Sequence, residues 1–209
     1  MLKKLLISGF ALFAGIAAAN AGNVSISNSD LATAGGTLAV TDKSGSLLAP
    51  NSGYVAAGTF SLSDDAIRTA DFGSLIADFK QFGASGSVSD FAGIIIHDAS
   101  SALAAGDGFV GNSIYVAISN EAVPTPTSQL AVFKSSASFE ADNPVFGADA
   151  GLKDATAAQI LVGNFGAGVQ MDDLGGVSRA SLQTVGVPEP STGLLLLSGL
   201  GMVFFRRRR

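Results

Sequence analysis

Ser113-Ile114-Tyr115-Val116-Ala117-Ile118-Ser119 and Gln129-Leu130-Ala131-Val132-Phe133-Lys134 are two short runs rich in β-branched and aromatic residues. Between them lies a polar stretch that contains Pro124-Thr125-Pro126. Proline has a fixed φ and no amide donor, so this stretch continues neither run as a helix or a ladder. The pair reads as two strands joined by a loop. The same signature recurs along the chain. Val24-Ser25-Ile26-Ser27 alternates with period two, and Thr37-Leu38-Ala39-Val40-Thr41, Tyr54-Val55-Ala56-Ala57-Gly58-Thr59-Phe60 and Gly93-Ile94-Ile95-Ile96-His97 are short, apolar and bounded by turn residues. Ile160-Leu161-Val162 and residues 177–182 are weaker candidates. Many short strands between Gly, Asn, Asp and Ser clusters predict a mainly β chain built as an antiparallel β-sandwich-like domain. Regular βαβ alternation is missing, which counts against a doubly wound sheet.

One packed helix is predicted over about residues 63–82. Ser63 is placed to cap it, and Asp64 and Asp65 put negative charge in its first turn, where the helix dipole favours it. At about 100° per residue, Phe72, Leu75, Ile76, Phe79 and Phe82 fall within an arc of about 120° and read as a core-facing stripe. Gly73 is a candidate break, Gly83 a candidate stop, and a further short helix is expected around residues 155–160. The chain has 209 residues, 47% apolar, which suffices for one domain with a real core. It has no Cys, which excludes disulfides, thiolate metal sites and a cysteine nucleophile. Its one His leaves little scope for His-based metal binding.

The two ends differ from the middle. Lys3 and Lys4 precede an apolar run over residues 5–18 and the small-x-small triplet Ala19-Asn20-Ala21. This is the three-part build of a secretory signal peptide, with signal peptidase reading Ala19 and Ala21 and cleavage leaving Gly22 first. At the other end, Pro188-Glu189-Pro190 is followed by an uncharged apolar run over residues 194–205 and then Arg206-Arg207-Arg208-Arg209. Counted from Ser191 the run is 15 residues. At about 1.5 Å per helical residue it covers about 22 Å, short of a hydrocarbon core of about 30 Å. Arginines beside a span stay on the cytoplasmic side. The physics alone describes a short transmembrane helix, a weak anchor with its tail inside and residues 22–190 outside.

Pro-Glu-Pro, a short apolar helix and a terminal Arg cluster together resemble the PEP-CTERM sorting domain of exported proteins from exopolysaccharide-producing Gram-negative bacteria. The resemblance covers residues 188–209. It implies that exosortase, an integral-membrane protease-transpeptidase, recognises Pro188, Glu189 and Pro190, removes the anchor, and releases or transfers the protein to the cell surface or biofilm matrix. Two prolines hold the tripeptide extended with few free backbone donors, which suits a protease groove. The chain thus divides into a signal peptide over 1–21, an exported β-rich domain over 22–187, and a sorting and anchor segment over 188–209.

Charge follows that division. Residues 22–187 hold six of the basic residues (Lys43, Arg68, Lys80, Lys134, Lys153, Arg179) and sixteen of the acidic ones, a balance of −10. Such a surface is a poor partner for nucleic acid or anionic lipid. Candidate chemistry is thin. In His97-Asp98 a carboxylate adjoins an imidazole, but neighbouring strand residues point to opposite faces, and a Gly-x-Ser-x-Gly elbow is missing. Gly106-Asp107-Gly108 and Asp172-Asp173 lack the spacing of a calcium loop and read as turns. Gly163-Asn164-Phe165-Gly166-Ala167-Gly168 lacks the strand-turn-helix context of a phosphate loop and reads as a flexible connection. No enzyme activity, cofactor or metal is expected. The domain reads as structural or binding. The alternatives are a carbohydrate- or cation-binding module, for which only Tyr54 and Tyr115 offer polar aromatic platforms, and, more remotely, a secreted hydrolase dependent on His97. The expected partners are signal peptidase, exosortase, the inner membrane and extracellular polysaccharide.

Overall fold

The computed structural model describes residues 21–29, 37–102, 106–140, 148–152, 155–171 and 177–187. The chain is mainly β, with several sheets. The largest sheet contains β3 (Tyr54–Thr59), β4 (Lys80–Gly86), β6 (Ser113–Ser119), β7 (Gln129–Ser138), β9 (Ile160–Val162) and β12 (Val185–Gly186). Its order is β12-β7-β6-β3-β4, with β9 also paired to β7. The opening pair of runs is its centre: β6 and β7 are antiparallel, with Val116 opposite Phe133 and Ile118 opposite Ala131.

Among the described residues there are also two three-stranded sheets. In one, β1 (Ala21–Ser27) lies between β5 (Ile96–Ala102) and β8 (Ala148–Asp149). In the other, β11 (Val177–Gln183) lies between β10 (Asn164–Met171) and β2 (Ala39–Thr41). The β1–β8 and β2–β11 pairings are parallel, so the expectation of purely antiparallel sheets needs correction. Parallel neighbours require long crossovers, and here the strands that meet come from distant parts of the chain, a pairing that local alternation does not encode.

Period-two alternation divides the large sheet into two faces. Val55, Ala57, Phe82, Ile114, Val116, Ile118, Ala131 and Phe133 face a core shared with Val24, Ile26, Val40, Ile95, Ala99 and Leu182 of the smaller sheets. Tyr115, Leu130 and Val132 face the other way, into a second cluster with Ile67, Phe72 and Leu75. Asn28 ties the smaller sheets together from a fully buried position. Its Nδ2 donates to the carbonyls of Leu38 and Gly93, and its Oδ1 accepts from the Ile95 amide.

The helix expected over residues 63–82 is instead two short helices and a strand. Ser63 does cap α1 (Asp64–Thr69), its hydroxyl accepting from the Ala66 amide. Ala70 is already extended, and Asp71 starts α2 (Phe72–Asp78) by accepting from the Ser74 amide. A side chain able to satisfy free N–H groups competes for a new helix start, so the break falls at Asp71 and Gly73 lies inside α2. From Lys80 the chain is strand β4, hydrogen-bonded to β3. Phe72 and Leu75 therefore stay on the helix side, while Phe82 reaches the opposite core and packs on Phe109 and Phe139. The open edge of β3 and the burial of Phe82 outweigh helical periodicity. Of the helix expected near 155–160, one 3-10 turn over Ala157–Gln159 is present.

Candidate functional site

The last described segment fixes the chain's departure from the fold. Thr184, fully buried, donates its amide to the Thr41 carbonyl, and its hydroxyl lies 3.1 Å from that oxygen and 3.0 Å from Gln129 Oε1. The same Gln129 oxygen accepts from the Lys43 amide at 2.6 Å, and Gln183 Nε2 donates to the Lys43 carbonyl. Val185 and Gly186 then pair with Leu130 and Gln129. Val187 is buried in the helix-side cluster with Leu130 and Leu161. The chain is therefore held by ladder, side-chain bonds and apolar packing up to the residue before Pro188.

Residues 186–209 match the family model of the PEP-CTERM protein-sorting motif. This chain carries that motif. The PEP-CTERM match begins at Gly186, inside the short strand β12, and runs through the Pro-Glu-Pro and Arg-tail residues. It implies exosortase-dependent sorting of a surface protein, with exosortase as the processing partner and a membrane-anchored precursor. Comparison with curated proteins and with solved structures yielded no match.

Pro188, Glu189, Pro190 and Arg206–Arg209 lie outside the described residues, as does Ala19. Ala21 is the first residue of β1. Among the described residues no helix is long and apolar enough to cross a membrane. The short helix expected at residues 194–205 and the signal helix both lie outside them.

The other singled-out residues are scattered. His97 Nε2 is 3.0 Å from the Ala84 carbonyl oxygen, and its ring lies across Gly86 of β4, while Asp98, on the opposite face of β5, is exposed. They do not form a dyad. The Asp107 carbonyl accepts from Lys80 Nζ within the Gly106–Gly108 turn. The described residues include no group of three or more His, Cys, Asp or Glu placed to hold a metal ion, and Asp172 and Asp173 lie outside them. The Gly163–Gly168 stretch, read as a flexible connection, is largely strand: β10 pairs with β11 through an irregular register between Gly166 and Val169.

Sequence reasoning missed two features. The first is a polar clamp on α1. Lys134 Nζ lies 2.7 Å from Asp64 Oδ2, and the Tyr115 hydroxyl donates to Asp64 Oδ1 at 2.9 Å. The Lys134 bond holds the Asp64 carboxyl below its ordinary range, with help from Tyr115, and Asp64 in turn raises Lys134. Burial, reinforced by Asp64, raises the Tyr115 phenol. With Phe60 edge-on to its ring, Tyr115 is a packed residue that offers no open face. The second is a cleft lined by Tyr54, Ile76, Phe79, Gln81 and Pro124, in which the Tyr54 hydroxyl donates to Gln81 Oε1 at 2.6 Å. Burial raises the Tyr54 phenol. The helical reading of Phe79 and Gln81 hid this cleft.

Proposed function

We propose that the chain is the precursor of an exported surface or extracellular-matrix protein. Signal peptidase removes residues 1–21; residues 22–187 form a β-sandwich-like, non-enzymatic domain outside the inner membrane. Residues 188–209 hold it there as a temporary anchor with Arg206–Arg209 inside, until exosortase acts at Pro188-Glu189-Pro190. The observation that carries this reading is the match of residues 186–209 to the PEP-CTERM motif. The fold supports the division: β1 starts at Ala21 and β12 ends at Gly186, so both proposed cuts fall at the margins of the packed region. Val187 is the last buried residue described, and the tripeptide follows it directly.

The test is processing in a strain that makes exosortase. Replacing Pro188 and Pro190 by Ala should leave the protein in the membrane fraction at precursor mass, whereas the unaltered chain loses mass at both ends. Normal release of the double variant overturns the sorting role of the tripeptide. A carbohydrate-binding domain has less support, because Tyr115, one of its two polar aromatic platforms, is packed under Phe60 and bonded to Asp64.

A further inference from the structure

The direction in which the chain leaves the fold bears on what the domain touches while it is still tethered. β12 runs antiparallel to the start of β7, with Val185 opposite Leu130 and Gly186 opposite Gln129. The chain therefore exits at the end of the large sheet where β6 finishes and β7 begins, the end that carries the 120–128 connection. Leu130 opposes Ser119, and Ser119 opposes Tyr54, the first residue of β3. Directly opposed residues share a face. Val185, Leu130, Ser119 and Tyr54 thus form one row across four strands. At a strand spacing of about 4.8 Å, Tyr54 is about 14 Å from Val185.

That row ends in the cleft of Tyr54, Ile76, Phe79, Gln81 and Pro124, about 200 Å³ in volume and free of charged side chains. Beside Pro124, Val123 is 74% exposed, and Ile76 is exposed as well. Phe91, also exposed, belongs to a loop tied to the same end, since Asn51 Nδ2 donates to Asp90 Oδ1 and the Asn51 amide lies 3.1 Å from the Val88 and Ser89 carbonyl oxygens. A single exposed apolar residue is ordinary, but these lie at the end of the sheet from which the chain exits. Only seven residue steps separate Val187 from Leu194, where the apolar run begins. Fully extended, seven residues reach at most about 25 Å.

We propose that in the anchored precursor this end of the domain lies on the lipid surface, with Val123, Ile76, Phe79 and Tyr54 against the headgroup–acyl boundary. The inference rests on the anchor reading given above. An apolar rim with a Tyr suits the membrane interface, where one end of the ring is dry and the other wet. The patch is small, so contact depends on the tether, which makes the encounter intramolecular and raises its effective concentration. Cutting the tether then removes the contact, and docking before the cut keeps residues 188–190 at membrane level. The excess of acidic residues over 22–187 disfavours anionic lipid, so the surface it fits is zwitterionic.

Because the chain lacks cysteine, a single one gives a clean label. Val123→Cys and Val110→Cys place an environment-sensitive dye at opposite ends of β6, both at exposed positions. The chain from Gly22 to Arg209, as signal peptidase leaves it, is reconstituted in phosphatidylcholine vesicles containing a headgroup nitroxide lipid. Flotation, compared with a Leu196→Asp variant that charges the apolar run, reads anchoring; nitroxide quenching reads docking. The expected result is flotation that Leu196→Asp weakens, with several-fold stronger quenching at Val123 than at Val110. Flotation with equal quenching at the two sites overturns the docking and leaves the anchor reading standing. Shielding of the Val123 dye without nitroxide quenching, the mark of a second copy on the cleft, overturns it too. Flotation that Leu196→Asp does not weaken overturns the anchor reading and the docking with it.

Discussion

Gly163 stands where two paired strands leave one sheet for another. On one side of it β9 pairs with β7, and on the other β10 pairs with β11. Its φ is +110°, and a Cβ there would meet the Gln183 carbonyl oxygen at 2.8 Å. Both the backbone conformation and the space require glycine. Gly163→Ala should therefore cost about 2 kcal/mol, read as a lower urea midpoint with an unchanged slope; an unshifted midpoint would show that the corner relaxes freely. Asn28 is the second position where one side chain decides. Asn28→Ala takes the side-chain partner from the Ile95 amide and the Leu38 carbonyl in a buried setting, and leaves the Gly93 carbonyl with its bond from the Val40 amide alone. The expected loss is about 3 kcal/mol, because buried groups lose their bonds without regaining water. A loss below about 1 kcal/mol would mean that water enters the site.

Among the elements, α1 is too short to be stable alone and depends on its attachments. Arg68 donates to the Ile160 and Ala158 carbonyls, Ile67 is buried, and Asp64 takes bonds from Lys134 and Tyr115. The charged pair is active over a defined pH window. Asp64 is held below its ordinary 3.8, so its contribution is present above that value and is lost as pH falls through the lower folded value. Lys134 is raised above its ordinary 10.5, so its share is full below 10.5 and is lost as pH rises through the higher folded value. The two side chains are 32% and 38% exposed, and solvent screening keeps the pair below about 1 kcal/mol. Asp64→Asn should lower thermal stability slightly at neutral pH and flatten the acid limb of a melting-temperature series. An acid limb identical to that of the parent chain would dismiss the clamp.

The strands that alternate cleanly were legible. β6 and the start of β7 are read directly from 113–119 and 129–134, since each residue's face follows from its parity. β4 and β10 were not. β4 continues an aromatic stripe that fits a helix up to Phe82, and only pairing with β3 gives it a different period. β10 contains two glycines in Asn164–Met171 and is held by its neighbour, so its own side chains carry little strand signal. The sorting motif was legible for a different reason: it is read by composition and order along the chain, without any tertiary contact. The cleft was hidden because Tyr54, Phe79 and Pro124 come together only across β3, the end of α2 and the 120–128 loop.

At the scale of the molecule, the final strand belongs to the fold while the residues after it belong to the sorting signal. A chain ending at Val187 keeps β12, the Thr184 bonds and the burial of Val187. One ending at Gln183 loses them all. The shorter chain should be less stable by about 4 kcal/mol, from one buried aliphatic side chain and the broken hydrogen bonds; equal denaturant midpoints for the two would show that β12 is dispensable.

Thr41 meets Thr184 across 143 residues, and β2 reaches its partner β11 over nearly the same interval. A polypeptide is made and threaded from its amino end, so the early half must wait, incomplete, for its closing piece. Contacts of such long separation also form slowly. The last seam can close only when residues 177–187 have followed, immediately ahead of the carboxyl-terminal address. Completion of the fold and arrival of the cleavage signal are thereby synchronised by chain order alone, and a molecule stalled before that point has neither a finished body nor a label by which to be dispatched.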